Sequence, residues 1–242
     1  MTATRALILL TLVAGASACA RARGFDRGKL STDLSQAALV TDEDIRKALE
    51  LHPQLPKRFR LGVLFRQPGP HWSSGWTWQP EDKDAILQAG EKLKESDVVS
   101  QVTYVSTAIA GSDELKAIRY AAAQHGMDAV LIVSGVAAAD RYNNLLGPLY
   151  ALLVTPFFVP GTVIDSLFVA HAALWDVRNG FLYASSEVDA RSSQTRPAFF
   201  AREADAIAVA KADAIKGLAE DVDQRVRNLA TPSNSALERT HE

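Results

Sequence analysis

The side chains that could carry acid–base or metal chemistry are scattered along this sequence of 242 residues. The five histidines have neither the H-x-H nor the H-E-x-x-H spacing that brings two imidazoles to one zinc ion. They are His52, His71, His125, His171 and His241. The sequence also lacks the G-x-S-x-G turn of serine hydrolases and the glycine-rich loops that bind nucleotide phosphates. We therefore predict no catalytic residue, no metal site and no cofactor, and a hydrolase with an unrecognised site stays as an alternative.

Three of the four tryptophans fall within seven residues of one loop. This predicted binding loop is His71-Trp72-Ser73-Ser74-Gly75-Trp76-Thr77-Trp78, and it follows a predicted strand. Beyond the carboxyl end of a strand, indoles can stack on sugar rings, pack against a protein partner or lie among lipid headgroups. We predict His71, Trp72, Trp76 and Trp78 as candidate binding residues. The alternative is a loop that folds its indoles back onto the domain.

Cys19, the only cysteine, follows a stretch that is typical of a secretory leader. Arg5 gives a basic start, an apolar run follows at 6–13, and small residues fill 14–18. The apolar run is too short to cross a bilayer, which needs about 20 residues. Because a single unpaired thiol is a reactive liability in a secreted protein, a modified cysteine is favoured over a free one.

The residues Ala16-Ser17-Ala18 before Cys19 resemble the lipobox of bacterial lipoproteins, with Ala16 where leucine is commonest. The resemblance implies cleavage before Cys19, a diacylglycerol thioether on its sulfur and a palmitate-type acyl chain on its amine, which together anchor stably. Because Ala20 rather than aspartate follows, it also implies sorting to the outer membrane, facing the periplasm. The alternative is ordinary signal-peptidase cleavage after Ala18, since the same residues form an A-x-A site.

Charge and composition limit the classes of binding partner that this chain can have. The formal net charge is −2, and lysines and arginines are spread along the chain without the basic stripe of a nucleic-acid-binding protein. Hydrophobic residues make up 48% of the sequence, enough for a large core, and one cysteine allows no disulfide within the chain. We predict two partners, a lipid bilayer bound through acylated Cys19 and an envelope protein, and the oligomeric state stays open.

Alternating strand and helix patterns predict an α/β fold. The strands are 58–65, 98–106 and 128–136, and short joints to the intervening helices favour parallel pairing through right-handed crossovers. An antiparallel hairpin follows at 166–178 and 181–190, with its turn at Asn179-Gly180. A long amphipathic helix spans 198–229. Together these elements predict a mixed sheet of about five to six strands with the C-terminal helix packed on it.

The alternation of apolar and polar residues in the hairpin predicts which residues of its two strands pair and which face the core. Val177 should face Leu182 and Trp175 should face Ala184. Six residues should share the core side: Leu167, Val169, Trp175, Val177, Leu182 and Val188.

Four segments are predicted along the chain: a signal peptide at 1–18, a lipidated tether at 19–41, a single α/β domain at 42–229 and a disordered tail at 230–242. The stretch 145–164 holds no charged residue but contains three prolines and two glycines. We predict short buried segments joined by turns. The alternative is a hairpin that dips into the membrane beside the lipid anchor.

Two short motifs resemble the amino-terminal domain shared by Tol-system translocation proteins and curli-secretion lipoproteins. They are Gly126-Met127-Asp128-Ala129-Val130-Leu131, after a helix that includes 121–123, and Ala173-Leu174-Trp175-Asp176-Val177-Arg178-Asn179-Gly180, which ends in the hairpin turn. Pro160-Gly161 before the hairpin resembles rhombotarget lipoproteins. The resemblance covers about 58–229 and implies envelope assembly or binding without catalytic residues.

The sequence therefore favours a non-enzymatic, membrane-anchored periplasmic protein that binds or assembles an envelope partner. A peptidoglycan- or glycan-binding module that uses the Trp72–Trp78 loop is the second hypothesis, and the hydrolase is the third.

Overall fold

The computed structural model describes residues 22, 24–26, 28, 40–68, 75–151 and 154–230. The strands are β1 (Phe59–Phe65), β2 (Val99–Tyr104), β3 (Ala129–Asn143), β4 (Thr162–Asp176) and β5 (Leu182–Arg196). The α-helices are α1 (Asp42–Leu49), α2 (Pro80–Glu95), α3 (Thr107–Ala110), α4 (Leu115–Gln124) and α5 (Glu203–Ala230). Short 3-10 turns occupy Gly147–Ala151, Thr155–Phe157 and Ala198–Phe200.

The strands form one mixed sheet in the order β2-β1-β3-β4-β5. Strand β1 pairs in parallel with β2 and β3, whereas β4 pairs antiparallel with β3 and β5. The parallel half arises because a helical segment returns the chain to the same end of the sheet before each new strand. The predicted α/β fold is confirmed, including the mixed sheet and the long C-terminal helix packed on it.

Strand length divides the sheet into two parts. Strands β3, β4 and β5 have 15 residues each, whereas β1 has seven and β2 has six. The pairing of β1 with β3 ends at Val133, so the three long strands continue past it. We call this continuation the arm; it comprises 134–143 of β3, 162–171 of β4 and 187–196 of β5. Ten residues of strand extend about 33 Å.

Helices cover both faces of the sheet. On one face, α2 and α5 pack on the largest apolar cluster, to which β4 contributes Phe168 and Leu174. On the other face, α4 covers a smaller cluster around Val130 and Ile132 of β3. Helix α5 has 28 residues, about 42 Å, so it can follow the long strands beyond the end of β1.

The predicted hairpin register is wrong. Trp175 pairs with Leu182 and Leu174 pairs with Ala184, because an irregularity between Leu174 and Trp175 shifts the ladder. Val188 lies opposite Ala170, on the face that α5 covers, and Leu182 is 44% exposed. The alternation misled the prediction because β4 is apolar on both faces, and each face is buried.

A buried ion pair ties α5 to the start of α2. Lys211 of α5 and Asp82 of α2 are each less than a tenth exposed, and the Lys211 ammonium contacts the Asp82 carboxylate. The same Nζ donates to the carbonyl of Thr77 at 2.8 Å, and the carboxylate accepts from the backbone N–H of Gln79 at 2.8 Å. Asp82 therefore both caps α2 and neutralises the buried lysine.

We expect Lys211→Met to lower the free energy of unfolding by about 3–5 kcal/mol, because it leaves the Asp82 carboxylate buried without its cation. Urea unfolding followed by far-UV circular dichroism measures the change. The matched control is Lys216→Met, on the exposed side of the same helix, which should change stability by no more than about 0.5 kcal/mol. Equal effects of the two substitutions would contradict the structural role of the pair.

Candidate functional site

The described half of the predicted binding loop packs into the core. Trp76 and Trp78 are each 7% exposed, and their ring centroids lie 5.1 Å apart. Trp76 meets Phe168 edge-on at 4.8 Å, and the Trp78 indole Nε1 donates to the carbonyl of Arg66 at 2.7 Å. Both indoles therefore pack the base of the arm. His71, Trp72 and Cys19 lie outside the described residues and stay predictions.

Gly135 of β3 makes this aromatic packing possible. A Cβ atom at this position would lie 2.6 Å from Cζ of Phe168 and 3.4 Å from Trp76. Any larger residue would push Phe168 away from the strand, since real Cβ atoms do not approach that closely. Gly135 therefore has a packing role, because its missing side chain leaves room for the Phe168 ring.

The two motifs that resemble Tol and curli domains meet at the end of the sheet opposite the arm. Arg60 donates to both oxygens of Asp128, through Nε at 3.0 Å and through Nη2 at 3.1 Å. Arg178 reaches the same carboxylate at 2.8 Å, and the Asp128 side chain is 5% exposed. We call this group the clasp, and it joins β1, β3 and the β4–β5 turn. The hydrogen bonds from Arg60 lower the pKa of Asp128.

The turn after β4 continues the clasp. Tyr183 donates its hydroxyl to Asp176 at 2.6 Å and accepts from the backbone N–H groups of Gln54 and Leu55. Burial, followed by the hydrogen bond to Asp176, raises the pKa of Tyr183 to about 12. Gly180 has φ +79°, a backbone conformation that glycine adopts without strain. Each of these polar groups has a protein partner, so the clasp is suited to fixing the chain rather than to proton transfer.

One further line of polar residues crosses the sheet. His171 of β4 lies opposite Ser134 of β3 and Glu187 of β5. Burial lowers the pKa of His171, although Glu187 opposes this shift. In the described part of the chain, no hydrogen bond joins these three side chains in the way a nucleophile and its base require. Over the same residues, no group of three or more His, Cys, Asp and Glu side chains is arranged to hold a metal ion.

The far end of the arm exposes a group of apolar side chains that we call the apolar tip. Its members are Leu145, Leu146, Leu149, Val154, Phe157, Phe158, Phe199 and Phe200. Phe157 and Phe199 join the β3–β4 connection to the turn after β5, with ring centroids 4.6 Å apart. The predicted turns of 145–164 are present, but the prediction that they are buried is wrong, since Leu145 is 94% exposed; among the described residues of this range, only its end, 161–164, is buried.

Phe199 and Phe200 did not figure among the predicted functional residues, because the sequence pattern assigned them to the long C-terminal helix. In the structure they occupy a separate 3-10 turn, and α5 begins only at Glu203. Pro197 before two adjacent phenylalanines was the available signal for a turn. Among the described helices, none combines the length and apolar character needed to cross a membrane.

The two core tryptophans should respond differently to loss of the indole N–H. Trp78→Phe leaves the partly buried carbonyl of Arg66 without its donor, whereas the Nε1 of Trp76 has no hydrogen-bond partner among the described residues. We expect Trp78→Phe to cost about 1 kcal/mol more than Trp76→Phe, because only the first substitution removes a hydrogen bond. Urea unfolding of the two variants measures the difference. A smaller cost for Trp78→Phe would contradict this packing.

The clasp should make stability depend on pH. Because the folded-state pKa of Asp128 is lowered, its contribution is present above the unfolded value of about 4 and is lost as pH falls through the folded value. We expect Asp128→Asn to cost on the order of 2 kcal/mol at pH 7, and the gap to wild type to narrow at acidic pH. Thermal unfolding across pH 2–7 measures the gap, with the exposed Asp84→Asn as control. A gap that widens on acidification would refute the assignment.

Comparison with known proteins gives structural similarity only. No protein-family model and no curated protein matches the chain.

Three solved structures illustrate the similarity. Lipoprotein GNA1162 from Neisseria meningitidis is 14% identical, with 70% of this chain and 99% of that chain covered and a TM-score of 0.32. A minor lipoprotein from Acinetobacter baumannii is 10% identical, with coverages of 72% and 92% and a TM-score of 0.32. A homolog of a neuraminyllactose-binding hemagglutinin from Helicobacter pylori is 12% identical, with coverages of 78% and 94% and a TM-score of 0.38. Two of these three neighbours are thus bacterial lipoproteins, but TM-scores this low carry no argument about function.

Proposed function

We propose that this chain is an envelope lipoprotein that is held on a membrane through acylated Cys19 and binds an envelope protein partner without catalysing a reaction. The single observation that carries the proposal is the lone cysteine directly after a leader-like run and Ala16-Ser17-Ala18. Outer-membrane location and a periplasmic orientation follow from the lipoprotein class and from Ala20. The Tol- and curli-like motifs support an assembly role, as the resemblance implies.

The N-terminal segment supports close attachment of the body to its anchor. The backbone N–H of Gly24 donates to the Asp140 carboxylate of β3 at 3.1 Å. Phe25 packs against the arm cluster of Val136, Leu167 and Val169. Gly24 lies five positions after Cys19 in the sequence, a distance of at most about 18 Å when the chain is extended. The body of an anchored protein would therefore lie next to the bilayer.

The use of the buried charges supports a non-enzymatic role. Asp128 is held by two arginines, Asp82 by Lys211, and Asp176 by Tyr183 and the turn backbone. Catalytic acids and bases need a pKa near the working pH and access to substrate. These carboxylates are instead saturated with protein donors. A binding role needs no such acid or base, so it is compatible with this arrangement of the buried charges.

Metabolic labelling with an alkyne palmitate analogue tests the anchor. We expect label on the wild type and on Ser17→Ala, which keeps the thiol, and none on Cys19→Ser, because Cys19 is the only cysteine. Mass spectrometry of the mature terminus should show Cys19 carrying diacylglycerol. A mature chain that begins at Cys19 with an unmodified thiol would refute the anchor, and in-cell crosslinking that captures no envelope protein would refute the binding role.

A further inference from the structure

We propose that the apolar tip enters the headgroup–acyl boundary of the same membrane that holds Cys19, so that the protein is fixed at two points. This inference deepens the proposed function and rests on its lipid anchor. It assigns the tip to a lipid surface rather than to a second copy of the chain or to another protein.

The four phenylalanines of the tip form one contiguous cluster of rings, and exposed leucines lie in the same connection. Phe158 is 79% exposed and Leu145 is 94% exposed, in two turns of one connection. Phe199 and Phe200 extend the same surface from the turn after β5, with their rings 5.5 Å apart. Isolated apolar residues on a surface are ordinary, but contiguous patches mark protein or membrane interaction sites.

The backbone of the tip satisfies many of its polar groups internally. The Tyr150 hydroxyl donates to the carbonyl of Val159 at 2.9 Å and accepts from the N–H of Gly161 at 2.7 Å. The Asn144 side chain donates to the carbonyl of Pro160 at 3.0 Å and accepts from the N–H of Leu146 at 2.8 Å. Irregular backbone can approach hydrocarbon only when such groups are paired, since each unpaired group costs several kcal/mol there. The backbone groups bonded to Tyr150 and Asn144 meet this condition, while Leu145 and Phe158 are exposed.

Charged residues set a limit to the depth of insertion. No charged residue occurs between Arg141 and Asp165 in the sequence, a run that includes the whole β3–β4 connection. Charges resume at the base of the tip, where Asp205 bridges Arg196 at 3.6 Å and Arg202 at 3.4 Å. Because charged side chains are expensive in hydrocarbon, the tip would enter only as far as this base. Interfacial contacts of this kind reach about 5–10 Å into the headgroup–acyl boundary.

The anchor selects lipid as the occupant. Asp140, which holds Gly24, lies three residues before the end of β3 at Asn143, about 10 Å along the strand. The residues between Gly24 and Cys19 can span a longer distance than this, so the anchor and the tip reach one surface. Tethering then keeps lipid at high effective concentration around the tip whatever the protein concentration, an advantage that a second copy or a free partner lacks.

Fluorophore labelling of the lipidated full chain tests the inference. Once Cys19 is acylated, an introduced cysteine is the sole free thiol, so an NBD dye can be placed at Phe158→Cys or Phe199→Cys on the tip. Leu182→Cys is the matched control, because Leu182 is also an exposed apolar residue but lies in the clasp end of the hairpin. The proteins are reconstituted in vesicles of phosphatidylethanolamine and phosphatidylglycerol that carry doxyl-labelled lipid.

We expect both tip labels to show blue-shifted emission and roughly threefold stronger doxyl quenching than the control, as for a group below the headgroups. Equal quenching at all three positions, in protein that floats with the vesicles and carries the acyl mass on Cys19, would overturn the inference and leave the anchor intact. A blue shift without lipid quenching would overturn it in favour of a second copy. Protein that neither floats nor carries acyl mass would overturn the proposed function and this inference together.

Discussion

Burial of one sheet face beneath helix α5 is the interaction on which the rest of the structure depends. The helix contributes five large aliphatic side chains to the main core: Ile207, Ile215, Leu218, Val222 and Val226. Each is worth about 1.5–3 kcal/mol when fully buried. The same helix carries Lys211, which reaches Asp82 and so fixes α2 and the tryptophan loop on the same face. Without this contact, the long strands would expose their apolar residues to water.

The molecule has two chemically different ends because β3 and β4 run its full length. At one end, the start of β3 and the end of β4 bring Asp128 and Arg178 together in the clasp. At the other end, the same two strands are joined by a connection without charged residues, and its described leucine, valine and phenylalanine side chains are exposed. The polar end is saturated with internal partners, so its charges stabilise the fold. At the apolar end the phenylalanines contact one another but stay 40–79% exposed, so this end offers a surface for binding.

Particular residues show how far sequence patterns could be followed. The NG turn and the apolar strands predicted the hairpin and the mixed sheet, because turn chemistry and buried β-branched runs are local signals. The register failed at Trp175, since β4 is apolar on both faces and alternation cannot tell one core face from the other. Trp76 and Trp78 are predicted as candidate binding residues, but both rings lie in the core. Gly135 of β3 leaves room there for Phe168 and Trp76, and a contact between residues so far apart in the chain leaves no local sequence pattern.

The sequence by itself determined the α/β class, the long C-terminal helix and the position of the one cysteine after a leader-like run, because each depends on residues that are close in the chain. Only the tertiary structure decided which apolar residues are buried and which are exposed. Phe168 and Phe158 are the same residue type in similar apolar surroundings, yet one is buried under α5 and the other lies on the tip. The difference arises because a side chain is buried only where a second element packs against it. Helix α5 packs against Phe168, whereas Phe158 in the apolar tip stays 79% exposed.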